Sequence, residues 1–351
     1  MNTSRRRRMS FRCVILLCVR LSLGLRGVGV ARRRRRRRRN SGKRILVCAV
    51  IEILVLLALG IVLCWNRGVS SWVGNLAGIF DRAVVKDVDL SGIHSTNAVL
   101  MDAGSGKVIS EVKGEDAIYP ASMTKIMTAI VAIESLDSLE KEITLTDEMF
   151  AGLYEQNATQ AGFQPGETVK AIDLLYGVML PSGAECCIAL ADEIAGSEEA
   201  FVEKMNKKAE RLGMKKTNFC DSTGLHDPDH YSSAYDIAVL LRYALHNSTF
   251  REIVQSARHS TPGTNVHPDG ITYYSTLFKN LSDTTVTGGK ILGGKTGYTS
   301  EAGHCLASFA EIEGREYILV TAGAAADAAG IPHIQDCQTI YNRVGAAADG
   351  E

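Results

Sequence analysis

The chain has 351 residues, which is long enough for one large domain or two modest ones with a real hydrophobic core. Its formal net charge is zero, but residues 1–44 contain 16 arginines, one lysine and no acidic residue, so the remainder holds 22 basic and 39 acidic residues. This acidic body argues against a nucleic-acid-binding protein, because such proteins present a basic surface.

An apolar run follows the basic leader directly. Residues 45–65 read ILVCAVIEILVLLALGIVLCW, with Glu52 as their single charge. The run is about as long as a helix that crosses a bilayer, and a buried core helix of that length would carry a polar side. We therefore predict a membrane anchor at 45–65. The arginines at 1–44 predict a cytoplasmic leader, which leaves the body outside the membrane. Whether the anchor is cleaved stays open.

The body begins with a predicted stalk. Glycines and serines interrupt any hydrophobic period over residues 66–95. A β-hairpin is predicted at 97–112, where two short apolar strands flank a Gly-Ser-Gly turn. Residues 122–135 have apolar positions at helical spacing, and most of the stretch from 171 to 247 does too. These patterns predict a strand pair followed by a long helical region.

Strands return near the end of the chain. Two alternating apolar strands around an EGRE turn are predicted at 304–324, and a helix is predicted at 333–344. Strands at both ends with helices between them indicate an α/β domain. We expect one antiparallel sheet flanked by helices, with an inserted helical subdomain, over residues 96–345.

Cysteines and histidines carry little functional signal. The chain has nine cysteines, and the spacing of the five in the body matches no metal motif and no disulfide framework. We expect them to be small core residues. His226 and His230, in HDPDH, are separated by a proline turn, which predicts a surface loop. We predict no metal and no cofactor.

Ser122 and Lys125, in PASMTK, lie three residues apart at the start of a predicted helix. Serine is a favoured N-cap and lysine is common in helices, so the pair can be ordinary. However, residues three apart on a helix are neighbours, which lets the amine lie against the hydroxyl. The positive end of a helix stabilises an alkoxide and disfavours a protonated lysine. The pair is therefore a candidate nucleophile and general base.

Two later motifs strengthen that interpretation. Ser182 lies in a Pro-Ser-Gly turn ahead of a helix, where it could also be an N-cap. GGKTGYT places Lys295, Thr296 and Gly297 just before the closing hairpin. On an edge strand a lysine and a hydroxyl can hold a substrate carboxylate, and glycine lets two backbones approach. The order S-x-x-K, Ser-Gly and K-T-G is a serine acyl-transfer signature.

On these motifs the chain resembles low-molecular-weight penicillin-binding proteins of the D-alanyl-D-alanine carboxypeptidase type. The resemblance covers about residues 97–344 and is carried by MDAGSGKVI, PASMTKIMTA, FVEKMNKKAERLGMKKTNF, STGLHDPDHYSSAYDIA and GGKTGYTSEAGHCLASFA. It implies a β-lactamase/transpeptidase-like fold. It also implies an enzyme that removes the terminal D-alanine of peptidoglycan pentapeptides through an acyl-enzyme and is inhibited by β-lactams. Peptidoglycan stem peptides and β-lactam antibiotics are the implied partners, at a bacterial cell membrane with the catalytic domain outside.

The resemblance also implies residue roles. Ser122 would be the acylated nucleophile, Lys125 its base and Ser182 a proton relay. Substrate binding would fall to four residues of the third motif: Lys295, Thr296, Gly297 and Tyr298. Among these the lysine and threonine would hold the terminal carboxylate. The backbone N–H groups of Ser122 and Tyr298 would form the oxyanion hole.

The second motif departs from the family pattern. The family usually has Ser-Gly-Asn, whereas this chain has Ser182, Gly183 and Ala184. The asparagine amide normally bonds the substrate backbone and the neighbouring lysine, and alanine cannot do so. Either Glu185 or a water takes its place, or activity is reduced.

Two other functions stay open. A serine β-lactamase shares the first and third motifs but needs a further acid to activate the deacylating water. Acids after Ser182, such as Glu203, lie instead in a smooth helical pattern. The other alternative is a membrane-anchored penicillin-binding scaffold that acylates poorly because of Ala184.

Overall fold

The computed structural model describes residues 87–281, 283–325 and 331–349. The predicted leader, the predicted membrane anchor and most of the predicted stalk lie outside these residues. Within the described ranges, no helix is long and apolar enough to cross a membrane.

The described residues form twelve strands and eight α-helices. The strands are β1 (Asn97–Asp102), β2 (Val108–Val112), β3 (Ala117–Ile118), β4 (Glu142–Thr144), β5 (Thr168–Lys170), β6 (Ser232–Ser233), β7 (Arg258–Ser260), β8 (Thr272–Tyr274), β9 (Thr285–Val286), β10 (Gly289–Thr299), β11 (Gly303–Ile312) and β12 (Arg315–Ala324). The helices are α1 (Lys125–Ser135), α2 (Ala171–Met179), α3 (Ala184–Ala195), α4 (Glu198–Leu212), α5 (Ala234–Ala244), α6 (Ser248–Gln255), α7 (Thr276–Asn280) and α8 (Pro332–Asp349). Short 3-10 turns lie at Ala121–Thr124 and Asp147–Phe150.

Six strands form one antiparallel sheet in the order β2-β1-β12-β11-β10-β9. The two predicted hairpins, β1–β2 and β11–β12, therefore meet in the same sheet. The hairpins meet where β1 pairs with β12, from Asn97 opposite Ala322 to Asp102 opposite Tyr317. The predicted antiparallel sheet with helices inserted between its strands is confirmed.

Both faces of the sheet are buried. Along β1, Val99 and Met101 pack into the cluster that contains the helical subdomain, whereas Ala98 and Leu100 pack with the C-terminal helix α8. Because successive strand residues point to opposite faces, a strand covered on both sides is apolar throughout. All six residues of β1 are accordingly buried.

Helix α1 is the central element of the helical subdomain. It contacts α2, α3, α4, α5 and α6. Its residues from Lys125 to Ala132 are all buried, so the helix is enclosed on almost every side over these two turns. The N-terminal end of α1 is therefore held from several directions, and the candidate nucleophile lies there.

Local signals set the ends of the flanking helices. Ser197 precedes α4 and its side chain accepts the N–H of Ala200, and Gly213 ends the same helix with a left-handed φ of 77°. Ser233 precedes α5 and accepts the N–H of Asp236. These caps replace hydrogen bonds that the first and last turns of a helix lack.

The cysteines of the described residues have no disulfide bonds. Four of the five are buried, as predicted for small core residues: Cys186, Cys187, Cys305 and Cys337. The prediction is wrong for Cys220, which is exposed.

Candidate active site

Ser122 lies in the 3-10 turn that leads into α1. The α-helix begins only at Lys125, three residues later than predicted, and Ala121 at the start of the turn has a φ of 47°. A side-chain-bearing residue rarely adopts that conformation unless its surroundings impose it. Gly224 packs directly against this turn, and a Cβ there would lie 1.9 Å from the carbonyl oxygen of Ala121. The nucleophile turn is therefore held by the neighbouring loop.

The candidate base contacts the candidate nucleophile. Lys125 Nζ donates to Ser122 Oγ at 3.1 Å and to the carbonyl oxygen of Thr223 at 2.6 Å. Lys125 is only 3% exposed, whereas Ser122 is half-buried and faces the cleft. The amine is therefore fixed between a buried carbonyl and a hydroxyl that a substrate can reach.

A loop that the motif analysis missed supports this pair. Thr128 Oγ1 donates to the carbonyl oxygen of Ser222 at 2.6 Å. His230 Nε2 lies 2.9 Å from Thr124 Oγ1, and its Nδ1 lies 3.1 Å from a carboxylate oxygen of Asp221. His230 is 2% exposed, so the predicted surface position is wrong for this histidine. Its sequence signal was the STGLHDPDH stretch, which carried the family resemblance but no recognised chemistry.

A second serine–lysine pair joins the other two motifs. Lys295 Nζ donates to Ser182 Oγ at 3.0 Å and to the carbonyl oxygen of Thr296 at 2.9 Å. Lys295 is 1% exposed, and burial together with the nearby positive charge of Lys125 lowers its pKa well below the usual range for lysine. Ser182 has a φ of 71°, a second strained residue at the site. The pair can therefore exchange a proton more readily than a solvated lysine could.

Strand β10 passes very close to the nucleophile turn. A Cβ on Gly297 would lie 3.1 Å from each of three atoms: Ala121 Cβ, Pro120 O and Ser122 N. The glycine of the K-T-G motif thus permits the backbone approach expected of it. On its other side β10 pairs with β9 only at Gly289 and Lys290. Among the described strands, none pairs with that edge alongside the K-T-G residues.

A cleft opens at the nucleophile. Its walls include Ser122, Lys125, Ala184 and Tyr298, together with the loop at 157–159. Tyr298 is 53% exposed, so the rim of the cleft carries an aromatic side chain open to solvent. Residues of all three motifs therefore either line the cleft or form the buried Ser182–Lys295 contact beside it.

Ala184 lies on the cleft wall at the position where the family usually has asparagine. Ala184 is 1% exposed, and its N–H donates to the carbonyl oxygen of Thr159 at 2.8 Å. Glu185 is fully buried, and its Oε1 accepts the N–H groups of Ala161 and Gly162 at 2.6 and 3.0 Å. Burial raises the pKa of Glu185. Its carboxylate therefore holds the adjoining loop, and Glu185 is not among the residues that line the cleft.

The fold and the site together define a class. The Lys-Thr-Gly motif lies on a strand of an antiparallel sheet, beside a Ser-x-x-Lys pair at the N-terminal end of a central helix. The lysine of the strand also contacts a second serine, Ser182, from the helical subdomain. This arrangement belongs to the penicillin-recognising serine acyl-transfer proteins. A family model described as D-alanyl-D-alanine carboxypeptidase matches residues 84–326, and the chain belongs to this family. The predicted family is confirmed.

Curated relatives carry the same description. The chain is 33% identical to D-alanyl-D-alanine carboxypeptidase DacF of Bacillus subtilis over 233 residues, which cover 66% of this chain and 58% of the relative. It is 32% identical to DacC of Escherichia coli over 269 residues, which cover 70% and 60% respectively. The chain thus spans 58–60% of the length of these relatives.

Solved structures show the same fold. The Streptomyces K15 DD-transpeptidase superposes with a TM-score of 0.65 at 26% identity, covering 75% of this chain and 100% of that one. A D-alanyl-D-alanine carboxypeptidase from Mycobacterium tuberculosis also gives a TM-score of 0.65, at 25% identity, covering 74% and 94%. The β-lactamase/transpeptidase-like fold expected from the sequence is confirmed.

Proposed function

We propose that the chain is a serine-type D-Ala-D-Ala carboxypeptidase that trims the terminal D-alanine from peptidoglycan pentapeptides and is inhibited by β-lactams. The observation that carries this proposal is the 3.1 Å contact between Lys125 Nζ and Ser122 Oγ on the cleft wall. A serine hydroxyl becomes an effective nucleophile when a base lies within hydrogen-bond reach. The buried amine meets that geometric requirement.

The acylation step uses both serine–lysine pairs. Ser122 Oγ attacks the carbonyl carbon of the penultimate D-alanine, and Lys125 accepts the hydroxyl proton. The peptide C–N bond then breaks, and the proton that Lys125 accepted passes through Ser182, which Lys295 contacts, to the leaving amine of the terminal D-alanine. Water next adds to the resulting ester, which releases the shortened peptide and restores the Ser122 hydroxyl.

The third motif positions the substrate. Lys295 and Thr296 are proposed to bind the terminal carboxylate, and the N–H groups of Ser122 and Tyr298 are proposed to bind the oxyanion. An extended peptide can add as a further strand to the edge of β10 that carries no described strand beside the K-T-G residues. The close approach at Gly297 then brings that peptide to Ser122.

Two acidic residues that follow Ser182, Glu203 and Glu185, do not line the cleft. Glu203 is exposed on α4 and pairs with Lys207 one turn away. Glu185 bonds the loop amides of Ala161 and Gly162 and does not line the cleft. A fast β-lactamase needs an acid that activates the deacylating water. These positions therefore support a carboxypeptidase over a β-lactamase.

The decisive experiment is mass spectrometry of the full chain, incubated separately with a D-Ala-D-Ala-ended pentapeptide and with penicillin. We expect the peptide to lose one D-alanine and the penicillin adduct to map to Ser122. Rapid hydrolysis of the adduct would instead indicate a β-lactamase. A stable adduct without peptide turnover would indicate a penicillin-binding scaffold.

We further propose that the chain is a single-pass bacterial membrane protein with its catalytic domain outside the cytoplasm. The support is the apolar run at 45–65 directly after the arginine-rich leader at 1–44, together with a substrate that lies outside the membrane. Protease added to intact cells or protoplasts should digest the body and leave the leader protected. The reverse pattern would refute this topology.

A further inference from the structure

Thr276 connects the second and third motifs, although it belongs to neither. It begins α7, and its Oγ1 lies 2.6 Å from Oγ1 of Thr296 in the K-T-G strand. Its backbone N–H donates at 3.1 Å to the carbonyl oxygen of Leu180, two residues before Ser182. One residue thus contacts the strand that carries the third motif and the segment that leads into the second.

We propose that Thr276 is a positioning residue that fixes the hydroxyl of Thr296 for recognition of the substrate's terminal carboxylate. This inference rests on the proposed function, which supplies that carboxylate. When two hydroxyls bond each other, one proton lies between the oxygens and the other stays free for an outside acceptor. A hydroxyl that accepts a hydrogen bond is also polarised into a better donor. The Thr276–Thr296 pair therefore presents one oriented, strengthened O–H donor.

The surroundings favour this use of the pair. Both threonines are half-buried, so the pair is not sealed inside the core. The adjacent Lys295 is buried against Ser182, and its burial and the charge of Lys125 lower its pKa. A lysine that loses its proton more easily is a weaker fixed cation for a carboxylate. Recognition of that carboxylate then depends more strongly on the neutral hydroxyl donors beside it.

The test compares two peptides that differ only at the C-terminus, one ending in the free D-Ala-D-Ala acid and the other in its amide. Release of the terminal residue by the full chain is followed by mass spectrometry at steady state, with each peptide in excess and varied around its KM. We expect Thr276→Val, which keeps the side-chain shape, to lower the acid-over-amide preference in kcat/KM by about tenfold. The loss should appear in KM for the acid, with kcat nearly unchanged. Thr276→Ser should restore the preference.

A matched control removes an equivalent hydroxyl pair elsewhere. Thr144 Oγ1 lies 2.8 Å from Thr168 Oγ1 on the exposed β4–β5 pair, so Thr144→Val should leave the preference unchanged. The acid-over-amide ratio does not depend on how much of a variant is folded. A Thr276→Val protein that slows both peptides by the same factor would overturn the inference and leave the proposed function standing.

A double variant tests whether Thr276 acts through Thr296. If it does, Thr276→Val should cause no further loss of preference in a Thr296→Val background. An additional loss there would overturn the positioning role. A natural protein that cleaves neither peptide would overturn the proposed function, and this inference with it.

Discussion

The amine nitrogen of Lys295 lies 3.0 Å from the hydroxyl oxygen of Ser182, although 113 residues separate them in the sequence. Lys295 belongs to β10 of the sheet, and Ser182 precedes α3 of the helical subdomain. The Ser122 turn reaches the same place from the end of α1, where Gly297 of β10 meets it. The site is therefore assembled where sheet and helices meet, and neither part holds it alone.

The first prediction concerns the nucleophile. Ser122→Ala should abolish covalent labelling by penicillin, because no ester can form without the hydroxyl oxygen. The fold should persist, since Lys125 keeps its bond to the carbonyl oxygen of Thr223. Gel fluorescence with a labelled penicillin and thermal melting measure the two effects. Ser138→Ala, an exposed serine on a loop, serves as the control, and full labelling of Ser122→Ala would rule out the assignment.

The second prediction concerns the contact between β10 and the nucleophile turn. Gly297→Ala would place a methyl group 3.1 Å from Pro120 O and from Ser122 N. Either the strand or the turn must shift by a few tenths of an ångström. Displacement of a reacting atom on this scale lowers the rate by about 10- to 100-fold. We expect that loss in penicillin acylation, measured with stopped-flow or gel assays.

The control for this change is Gly104→Ala. The nearest atom to a Cβ at Gly104 is a carboxylate oxygen of Asp102 at 3.6 Å, which is ordinary contact. This variant should acylate at the natural rate. Equal acylation by Gly297→Ala and Gly104→Ala would show that the close approach does not matter for the reaction.

Much of the fold was predictable because its strongest signals are local. The β11 and β12 strands are runs of mostly apolar residues on either side of a turn, and this pattern can be read from the sequence without knowledge of the tertiary structure. Strands of two or three residues, such as β6 and β9, are too short to show a period. They form because neighbouring elements bring them together.

Only those residues of the site that belong to the three sequence motifs could be predicted. Ser122 and Lys125 are close in sequence, so their contact follows from helical geometry. Thr276 and His230 act through contacts with residues far along the chain, and nothing in their immediate sequence indicates a partner. The 3-10 turn before α1 was also missed, since the loop residue that packs against it, Gly224, lies about 100 residues later in the sequence.

The third prediction concerns stability at acidic pH. His333 lies in the first turn of α8, 3% exposed, and its ring stacks on His304 with centroids 4.8 Å apart. Within the described residues its Nδ1 has no hydrogen-bond partner. Burial and the neighbouring His304 lower the pKa of His333 to about 4. The unfolded chain therefore binds this proton first, and stability falls as the pH drops from about 6.5 to about 4.

His333→Phe keeps an aromatic ring in place but cannot take up a proton. Its free energy of unfolding should change less between pH 7.5 and pH 4.5 than that of the natural protein, by up to about 3 kcal/mol. Urea denaturation at the two pH values measures the difference. Other groups that titrate in both proteins contribute equally to the change in unfolding free energy, so their contributions cancel in the comparison. Parallel loss of stability in the two proteins would contradict the prediction.

The last prediction concerns Ala184, where the chain departs from its family. Restoring an asparagine amide would add a hydrogen bond worth about 0.5–1.5 kcal/mol. However, Ala184 is 1% exposed and its N–H is bonded to Thr159 of the loop that lines the cleft. A larger side chain in such a packed position costs about 1–3 kcal/mol. We expect the added amide to crowd the neighbouring loop, which Glu185 holds through Ala161.

We therefore expect measurable carboxypeptidase activity in the natural protein and no large gain from Ala184→Asn. The value of kcat/KM on one pentapeptide should stay the same or fall, because crowding of the loop outweighs the new hydrogen bond. Ala184→Ser, which adds a polar group of little volume, controls for polarity alone and should stay near the natural value. An inactive natural protein that Ala184→Asn switches on would show instead that the missing amide was never compensated.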